Sequence, residues 1–384
     1  MKTKFSFLNN KLHVLFLCGW YPSRVSPTNG DFIQRHARAV SKKHKVTVIH
    51  IVTDTKLKKD MEVVSIEKKY ITTHIAYLKS TNNPIKKILI FRKAFLVLLK
   101  KTSYFDVVHL NEIYPFGIFS LYLKWFQNKR FIISEHFTGY LKSSNFKIPF
   151  FQKIISKYIV KQAFAICNVS DYLSDSMKAQ GFQGNFVTIP NVVDTSLFVP
   201  KKTKNKFLKL LHISSLKDEH KNISGMLRVA QRLDKTLDYF EWQFIGNNGD
   251  EHIDFLNKLD LKKGKITFLE HQTQKELALH LQEASICISF SNYETFGIVI
   301  PEAIASGTPV IATSTGVSMY LEEQVFCKVI PIKNEELLFQ EILNSKTTFA
   351  DLDEKKMHLF IKQQFSNEII SDKFSLLYFK SLNK

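Results

Sequence analysis

From Ile286 to Thr313 the chain reads ICISFSNYETFGIVIPEAIASGTPVIAT, and this stretch restricts the fold more than any other. Ile286 to Phe290 is a short apolar run suited to a buried parallel strand, and the polar Ser291-Asn292-Tyr293 carries the chain into a loop at its carboxyl end. The spacing predicts a helix from about Ile298 to Ser306. Pro301 is tolerated only in a first turn, Gly307 suits a left-handed cap, and Thr308-Pro309 cannot continue the helix. Val310 to Thr313 is the next strand. A long chain that alternates short apolar runs with helical patterns in this way is an α/β protein.

The same alternation runs through the second half, with strands near Lys209 to Ser215, Trp242 to Ile245 and Ile266 to Leu269. Thr273 and Glu276 form a capping box for a helix of about Gln274 to Ala284, and Asn334 caps another. The stretch from about Asp351 to Leu382 reads as two helices. With 384 residues and 45% apolar content, the chain can support two domains with separate cores.

The predicted helix after Phe290 points its amino end out of the sheet crevice, where ligands of open α/β sheets bind and where free N–H groups favour an anion. Glu294 in the loop and Glu302 one turn into the helix flank that place. Carboxylates beside an anion site act as acceptors for hydroxyls, so a ligand carrying both phosphate and polyol fits. Two carboxylates eight residues apart also fit solvated charges beside an ordinary strand-turn-helix.

The surrounding pattern, E-x-F-G-x-x-x-x-E-A-x-A-x-G-x-P-V, resembles the signature of the retaining glycosyltransferases of family 4. Their fold is GT-B, in which two Rossmann-like domains with parallel sheets face an interdomain cleft. Further segments carry the resemblance in the same order. His13 to Cys18 reads as a first strand, followed by G-W-Y-P-S-R-V-S-P-T-N-G-D-F and a helix-like I-Q-R-H-A-R-A-V. Asp106 to Asn111 and Phe131 to His136 resemble the strands that end on the acceptor side, Ile189 to Asp194 the passage between domains, and Leu211 to Leu227 the strand and helix that hold the donor phosphates. The resemblance implies an N-terminal acceptor domain (1–192), a nucleotide-sugar domain (193–365) and a last helix (366–384) returning to the first domain.

It also implies roles. Lys221, just ahead of an Asn222 helix cap, and the N–H groups near Phe296 and Gly297 stabilise the leaving diphosphate. Glu294 holds sugar hydroxyls, Glu302 the nucleotide ribose, and Thr295 and Ile298 complete the donor loop. Gly30 sits near the diphosphate, His271 follows a strand at the base-binding edge, and His136 and Asn111 lie on the acceptor side. The implied catalytic set is Glu294, Lys221 and His136. The expected reaction retains configuration on one face of the sugar, the leaving phosphate taking the acceptor's proton, with neither metal nor cofactor. For His136 and His271 a capped or solvated side chain is an equal alternative.

Three positions depart from the family pattern. Ser215 stands where an arginine is common, and Lys217 replaces that guanidinium fork only as a point charge. Asn111 stands where many members have histidine, so it hydrogen-bonds but does not titrate. Val192 replaces a glycine, which implies an extended rather than a left-handed passage.

Charge is uneven. Residues 1 to 200 hold 30 Lys and Arg against 11 Asp and Glu, whereas 201 to 384 hold 24 of each, so the net +19 belongs to the first half. This points to an anionic partner, nucleic acid or a membrane surface. Lys86 to Lys101 has basic residues at 86, 93 and 100 that share a helical face, and Lys142 to Lys161 sets Phe146, Phe150, Phe151 and Tyr158 among five lysines. Each is either a lipid-surface helix or a domain helix with snorkelling lysines. No apolar run reaches the roughly 20 residues that span a bilayer, and no export signal is read at the start. The expected location is therefore cytoplasmic, soluble or peripheral on the inner membrane face.

Cys18, Cys167, Cys287 and Cys327 read as buried small hydrophobes, no metal-ligand spacing occurs, and Asp351-Leu352-Asp353 reads as an acidic helix start. The expected partners are a nucleotide-sugar donor and a glycan or polyprenyl-linked acceptor in envelope polysaccharide assembly. Two alternatives from other classes are a GT-B enzyme that epimerises or hydrolyses a nucleotide-sugar and a non-catalytic nucleic-acid-binding protein.

Overall fold

The protein is described from a computed structural model that covers residues 11–201 and 205–383; part of the N-terminal stretch read for an export signal lies outside them. The chain divides into two compact units. The first comprises residues up to Tyr140, Phe146–Val192 and the chain from Asn367 on, and the second Leu141–Asn145 and Val193–Ser366.

Unit 1 opens with β1 (His13–Cys18), α1 (Asp31–Ser41), β2 (Lys45–Asp54), β3 (Met61–Lys68), β4 (Ile71–Lys79) and α2 (Pro84–Lys101). It continues with β5 (Val107–Asn111), α3 (Gly117–Gln127), β6 (Phe131–Glu135), α4 (Phe150–Gln162), β7 (Ala165–Asn168), α5 (Asp171–Ala179) and β8 (Phe186–Thr188). Unit 2 has β9 (Leu208–Ile213), α6 (Asp218–Lys221), α7 (Ile223–Thr236), β10 (Phe240–Ile245), α8 (Ile253–Lys258), β11 (Gly264–Leu269), α9 (Gln274–Glu283) and β12 (Ile286–Ser289). Then follow α10 (Val299–Ala305), β13 (Val310–Thr313), β14 (Cys327–Ile330), α11 (Glu335–Thr348) and α12 (Glu354–Phe365), and α13 (Asn367–Leu382) belongs again to unit 1.

The sheet of unit 1 has the order β3-β4-β2-β1-β5-β6-β7-β8, parallel except for the edge strand β3. Every side chain of β1, β5 and β6 is buried, as in central parallel strands covered on both faces. Phe16, Val46 and Val48 pack with Ile33 and Val40 of α1 and with Phe374 and Tyr378 of α13. The sheet of unit 2 has the order β11-β10-β9-β12-β13-β14 and is parallel throughout. Its core gathers Trp242 and Phe244 against Met226, Leu227 and Ala230 of α7 and Leu338 and Ile342 of α11.

In each sheet the winding reverses beside one strand: β1 lies between β2 and β5, and β9 between β10 and β12. Crevices at the carboxyl ends of the strands at such switch points are where open α/β sheets bind ligands.

Local signals explain most helix ends. The Thr273–Glu276 capping box starts α9, Asn334 accepts from Leu337 N at the start of α11, and Asp353 accepts from Lys355 N and Lys356 N to start α12. The helix expected over 298–306 is Val299–Ala305, with Gly307 left-handed at φ +82°. One expected cap differs. Asn222 is itself left-handed and its side chain caps nothing; Asp218 instead accepts from Ser224 N at 2.7 Å and Ser224 Oγ at 2.9 Å. The four cysteines are buried and lie in β1, β7, β12 and β14. Val192 is not among the residues with positive φ. Among the described residues no helix is long and apolar enough to cross a membrane.

Candidate functional site

In unit 2 the residues at the β9/β12 switch are built from two braces. His212 on β9 meets Ile288 O through Nδ1 at 2.8 Å and Ser214 Oγ through Nε2 at 2.8 Å. A carbonyl only accepts, so Nδ1 carries the proton and Nε2 accepts from Ser214. Ser214 Oγ then accepts from Leu216 N at 2.9 Å. Leu216 is left-handed at φ +54°, and His252 Nε2 donates to its carbonyl at 2.7 Å. The turn is thereby pinned in a conformation a leucine rarely adopts, leaving Ser215 and Lys217 exposed at its rim.

The second brace joins α6 to the loop after β12. Asn292 N donates to His220 O, and Asn292 Nδ2 to Glu219 O, each at 2.8 Å. The imidazole of His220 stacks on Tyr293 with centroids 4.3 Å apart and planes 9° from parallel. Here the two central charges meet: the Lys221 ammonium hydrogen-bonds the Glu294 carboxylate, to which Ser291 Oγ donates at 2.8 Å and which has His220 Nε2 at 3.6 Å. Burial pushes the Glu294 pKa up, but Lys221 and His220 outweigh it and hold the carboxyl well below the usual range. It is a charged group kept charged in the interior by its partners.

Phe296 is buried, its carbonyl accepting from Val317 N at 2.8 Å. Gly297 is left-handed at φ +81°, and Ile298 leads into α10, in whose first turn Ile300 N donates to Gly297 O at 3.1 Å, Glu302 N donates to Ile298 O at 3.2 Å and Pro301 has no N–H. Thr295 is half-buried beside them, and Glu302 is buried within the first turn of α10. His271 is exposed just past the carboxyl end of the edge strand β11.

In unit 1 the β1/β5 switch carries a different chemistry. Gly30 is left-handed at φ +73° and heads α1; a Cβ there would meet the Trp20 carbonyl carbon at 2.6 Å, so only glycine fits. Asn111, at the end of β5, is buried and donates through Nδ2 to His109 O at 3.1 Å, while its Oδ1 has no partner. His136 is buried between Phe32, 4.5 Å away by ring centroid, and His36, 5.5 Å away, with Nε2 unpartnered. Burial and the neighbouring His36 and His109 push its pKa well down, so the imidazole is neutral and acts through hydrogen bonding.

Between them stands Glu112, left-handed at φ +76°, its carboxyl lying where any Cβ on Gly19 would be. Glu135 is fully buried, accepting from Ile113 N, His136 N and Phe137 N at 2.8–2.9 Å. Burial, and then the proximity of Glu135, raise the Glu112 pKa to about 9. Glu112 therefore keeps its proton at neutral pH. No group of three or more metal-ligating side chains occurs among the described residues.

Comparison with known proteins now decides the family. The family model described as Glycosyltransferase Family 4 matches residues 31–197, and that described as Glycosyl transferases group 1 matches residues 208–345. The chain belongs to glycosyltransferase family 4. Probable sucrose-phosphate synthase of Thermosipho melanesiensis is 36% identical over 137 residues, 33% of this chain and 32% of that protein, so the match spans about a third of that relative. Among solved structures, sucrose-phosphate synthase from Thermosynechococcus elongatus superposes with a TM-score of 0.77 at 18% identity, over 96% of this chain and 99% of that one. A glycosyltransferase from Rickettsia africae gives 0.71 at 19% identity over 98% and 100% of the two chains. Anabaena HepE in complex with UDP and glucose gives 0.70 at 13% identity over 96% and 100%. These likenesses establish the GT-B fold of two parallel-sheet α/β domains.

For this family 4 glycosyltransferase, the structure brings Lys221, Glu294 and the Thr295 to Ile298 turn together, with Ser215 and Glu302 on the flanking segments of unit 2. Gly30, Asn111 and His136 belong to unit 1, and His271 stands apart on the far edge of the unit 2 sheet. Sequence reasoning passed over Ser291, His220 and Glu112. Ser291, three residues ahead of Glu294, was within reach as a loop hydroxyl. His220 was legible only as the neighbour of Lys221, and nothing local marks Glu112.

Proposed function

We propose that this protein is a retaining glycosyltransferase that moves a sugar from a nucleotide-sugar to a glycan or polyprenyl-linked acceptor in cell-envelope polysaccharide assembly, on the cytoplasmic side of the membrane. The observation that carries the reading is the buried Lys221–Glu294 pair beside the left-handed Gly297 turn, at the strand ends where unit 2 reverses its winding.

In this reading Lys221 turns from Glu294 to the donor diphosphate, and Glu294, released but still held by Ser291, takes sugar hydroxyls. As the bond from the anomeric carbon to phosphate oxygen breaks, negative charge grows on the diphosphate. Lys221 and the backbone N–H groups near Phe296 and Gly297 stabilise it. The acceptor hydroxyl attacks on the same face and passes its proton to the departing phosphate oxygen, so configuration is retained. Glu302 binds the ribose, and Gly30 admits the diphosphate close to the backbone of its loop. Protein cations and N–H groups supply the charge stabilisation, and the proposal needs no metal. Asn111, His136 and the protonated Glu112 serve the acceptor by hydrogen bonding. HepE is described in complex with UDP and glucose, which makes a UDP-sugar the first donor to try.

A thermal-shift panel of UDP-, GDP-, ADP- and CMP-sugars, followed by NMR of the product of any active donor, tests the reading. Stabilisation by one nucleotide class and an unchanged anomeric configuration are expected. An inverted product would overturn the mechanism, and nucleotide release independent of acceptor would favour an epimerase or hydrolase.

A further inference from the structure

We propose that the outer surface of α2, α3 and α4 docks on an anionic lipid bilayer, with the apolar N-terminal turns of α2 and α4 entering its interface. The inference deepens the envelope-assembly reading and rests on it for its setting, but lipid binding is measured without any transfer of sugar.

The three helices form one layer. Phe95 of α2 stacks on Phe119 of α3 with ring centroids 4.1 Å apart, and Trp125 of α3 meets Tyr158 of α4 at 6.3 Å. Their sequences contain ten Lys and Arg and no Asp or Glu. Among the described residues the one carboxylate within ion-pair reach of these cations is Asp60, 3.9 Å from Lys86. Some lysines elsewhere in unit 1 are matched: Lys42 of α1 pairs with Glu368 of α13 at 2.6 Å, and Lys43 pairs with Asp372. The layer thus holds ten of the 30 Lys and Arg in residues 1 to 200, with no carboxylate of its own.

The layer also exposes side chains that water disfavours. All residues from Pro84 to Leu89 are exposed, with Ile85 at 69%, Ile88 at 68% and Leu89 at 58%. Phe150 and Phe151, the first two residues of α4, stand at 72% and 77%, and Phe126 of α3 at 74%. Large apolar groups interleaved with lysines, without carboxylates, match an interface where acyl chains lie beneath anionic headgroups. α2 and α4 each join two parallel strands and so run back against them, which puts their N-terminal turns at the carboxyl edge of the sheet. Gly19 and Glu112 are at that same edge, so a bilayer seated there lies on the side of the sheet where a lipid-linked acceptor is to be bound.

Other occupants fit less well. Two copies facing each other through this layer would oppose cations with no carboxylate between them. A duplex nucleic acid would meet the charge but would leave the exposed aliphatic Ile85, Ile88 and Leu89 without an apolar partner.

The test is co-sedimentation of the full chain with vesicles of phosphatidylcholine alone or with a minor share of phosphatidylglycerol, at low and high salt. The protein is expected to sediment with the anionic vesicles at low salt and to be released at high salt. The double variant I88E/F151E should partition at least about tenfold more weakly, with its melting temperature and its thermal response to nucleotides unchanged. Wild-type protein left in the supernatant with anionic vesicles, or a variant that sediments like wild type, overturns the proposal. So does a salt-sensitive shift of duplex DNA without vesicle binding, or a dimer in light scattering that the double variant dissolves. A transferase that fails in a vesicle-free assay leaves the lipid result standing, and the reverse also holds.

Discussion

Glu294 is a carboxylate with almost no water, and its charge depends on Lys221, His220 and Ser291. Replacing Lys221 with alanine removes the group proposed to stabilise the leaving diphosphate and leaves Glu294 short of its main counter-charge. Turnover should fall by about 10² to 10³, and steady-state kinetics showing unchanged kcat would remove Lys221 from the chemistry. Glu112 presents the opposite case, a half-buried carboxyl without a cation. Its pKa rises from an ordinary 4.5 to about 9, so between these values the unfolded chain loses a proton that the native protein keeps. Stability therefore declines as pH rises through that window. Glu112→Gln abolishes the effect: the variant should match wild type near pH 4 and exceed it by about 1–3 kcal/mol at pH 7, as denaturant titrations at the two pH values would reveal. If Glu112 also serves the acceptor, the gain in stability comes with lost transfer. Lys221 and Glu294 were both legible because each sits in a local pattern. Glu112 was not, since its character comes from a left-handed backbone and from Glu135, a strand away.

At the scale of elements, α13 is held to unit 1 partly through histidines that must stay neutral. His109 meets Tyr378 Oη through Nδ1 and Ser134 Oγ through Nε2, each at 2.7 Å. His44 Nδ1 accepts from Leu12 N at 3.2 Å, so its Nε2 carries the proton and donates to Ser375 Oγ at 2.7 Å. Burial pulls the pKa of His36 and of His44 down to about 4 and that of His109 well down. Their stabilising effect is complete above the unfolded histidine value and is lost as pH falls toward 4, because the unfolded chain then binds protons that the native protein refuses. His36 and His44 together should cost unit 1 on the order of 3–5 kcal/mol across that range. Melting followed by circular dichroism at pH 7 and pH 5 should show the loss, and His44→Gln should flatten it; equal melting temperatures in wild type would mean that these rings are not held neutral. Helices α9, α11 and α12 were readable because caps are local chemistry. Strand β3, partly exposed along its length at the sheet edge, and the four-residue β14 carry too little periodicity to be read. The left-handed Asn222 was mistaken for a side-chain cap because Asp218, four residues earlier, does that work.

For the whole molecule, two sheets with separate cores imply two thermal transitions that answer to different variables. Acid acts mainly on unit 1, where His36, His44, His50, His109 and His136 are all pushed down by burial; in unit 2 burial does this to His212. The proposed nucleotide-sugar would act on unit 2, where Lys221, Glu294 and Glu302 are found. Bound at 100 times its dissociation constant, it should stabilise that unit by about 2.7 kcal/mol, a rise of about 5 to 10 °C for a domain of this size. Differential scanning calorimetry at pH 5 separates the two effects. Acid lowers the unit 1 transition and leaves the ligand-responsive one higher, so the correct donor should widen the gap and an incorrect nucleotide should leave it unchanged. Ser215 makes the outcome informative, because the turn proposed to hold the donor has it where the family pattern has a guanidinium fork, and Lys217 offers only a point charge. If Lys217 compensates, Lys217→Ala should abolish the shift while Ser215→Arg leaves it intact. If the turn has instead lost affinity, Ser215→Arg should enlarge the shift. A nucleotide that raises the acid-sensitive transition and not the other would mean that the donor is held by unit 1, contrary to the roles assigned to Lys221 and Glu294.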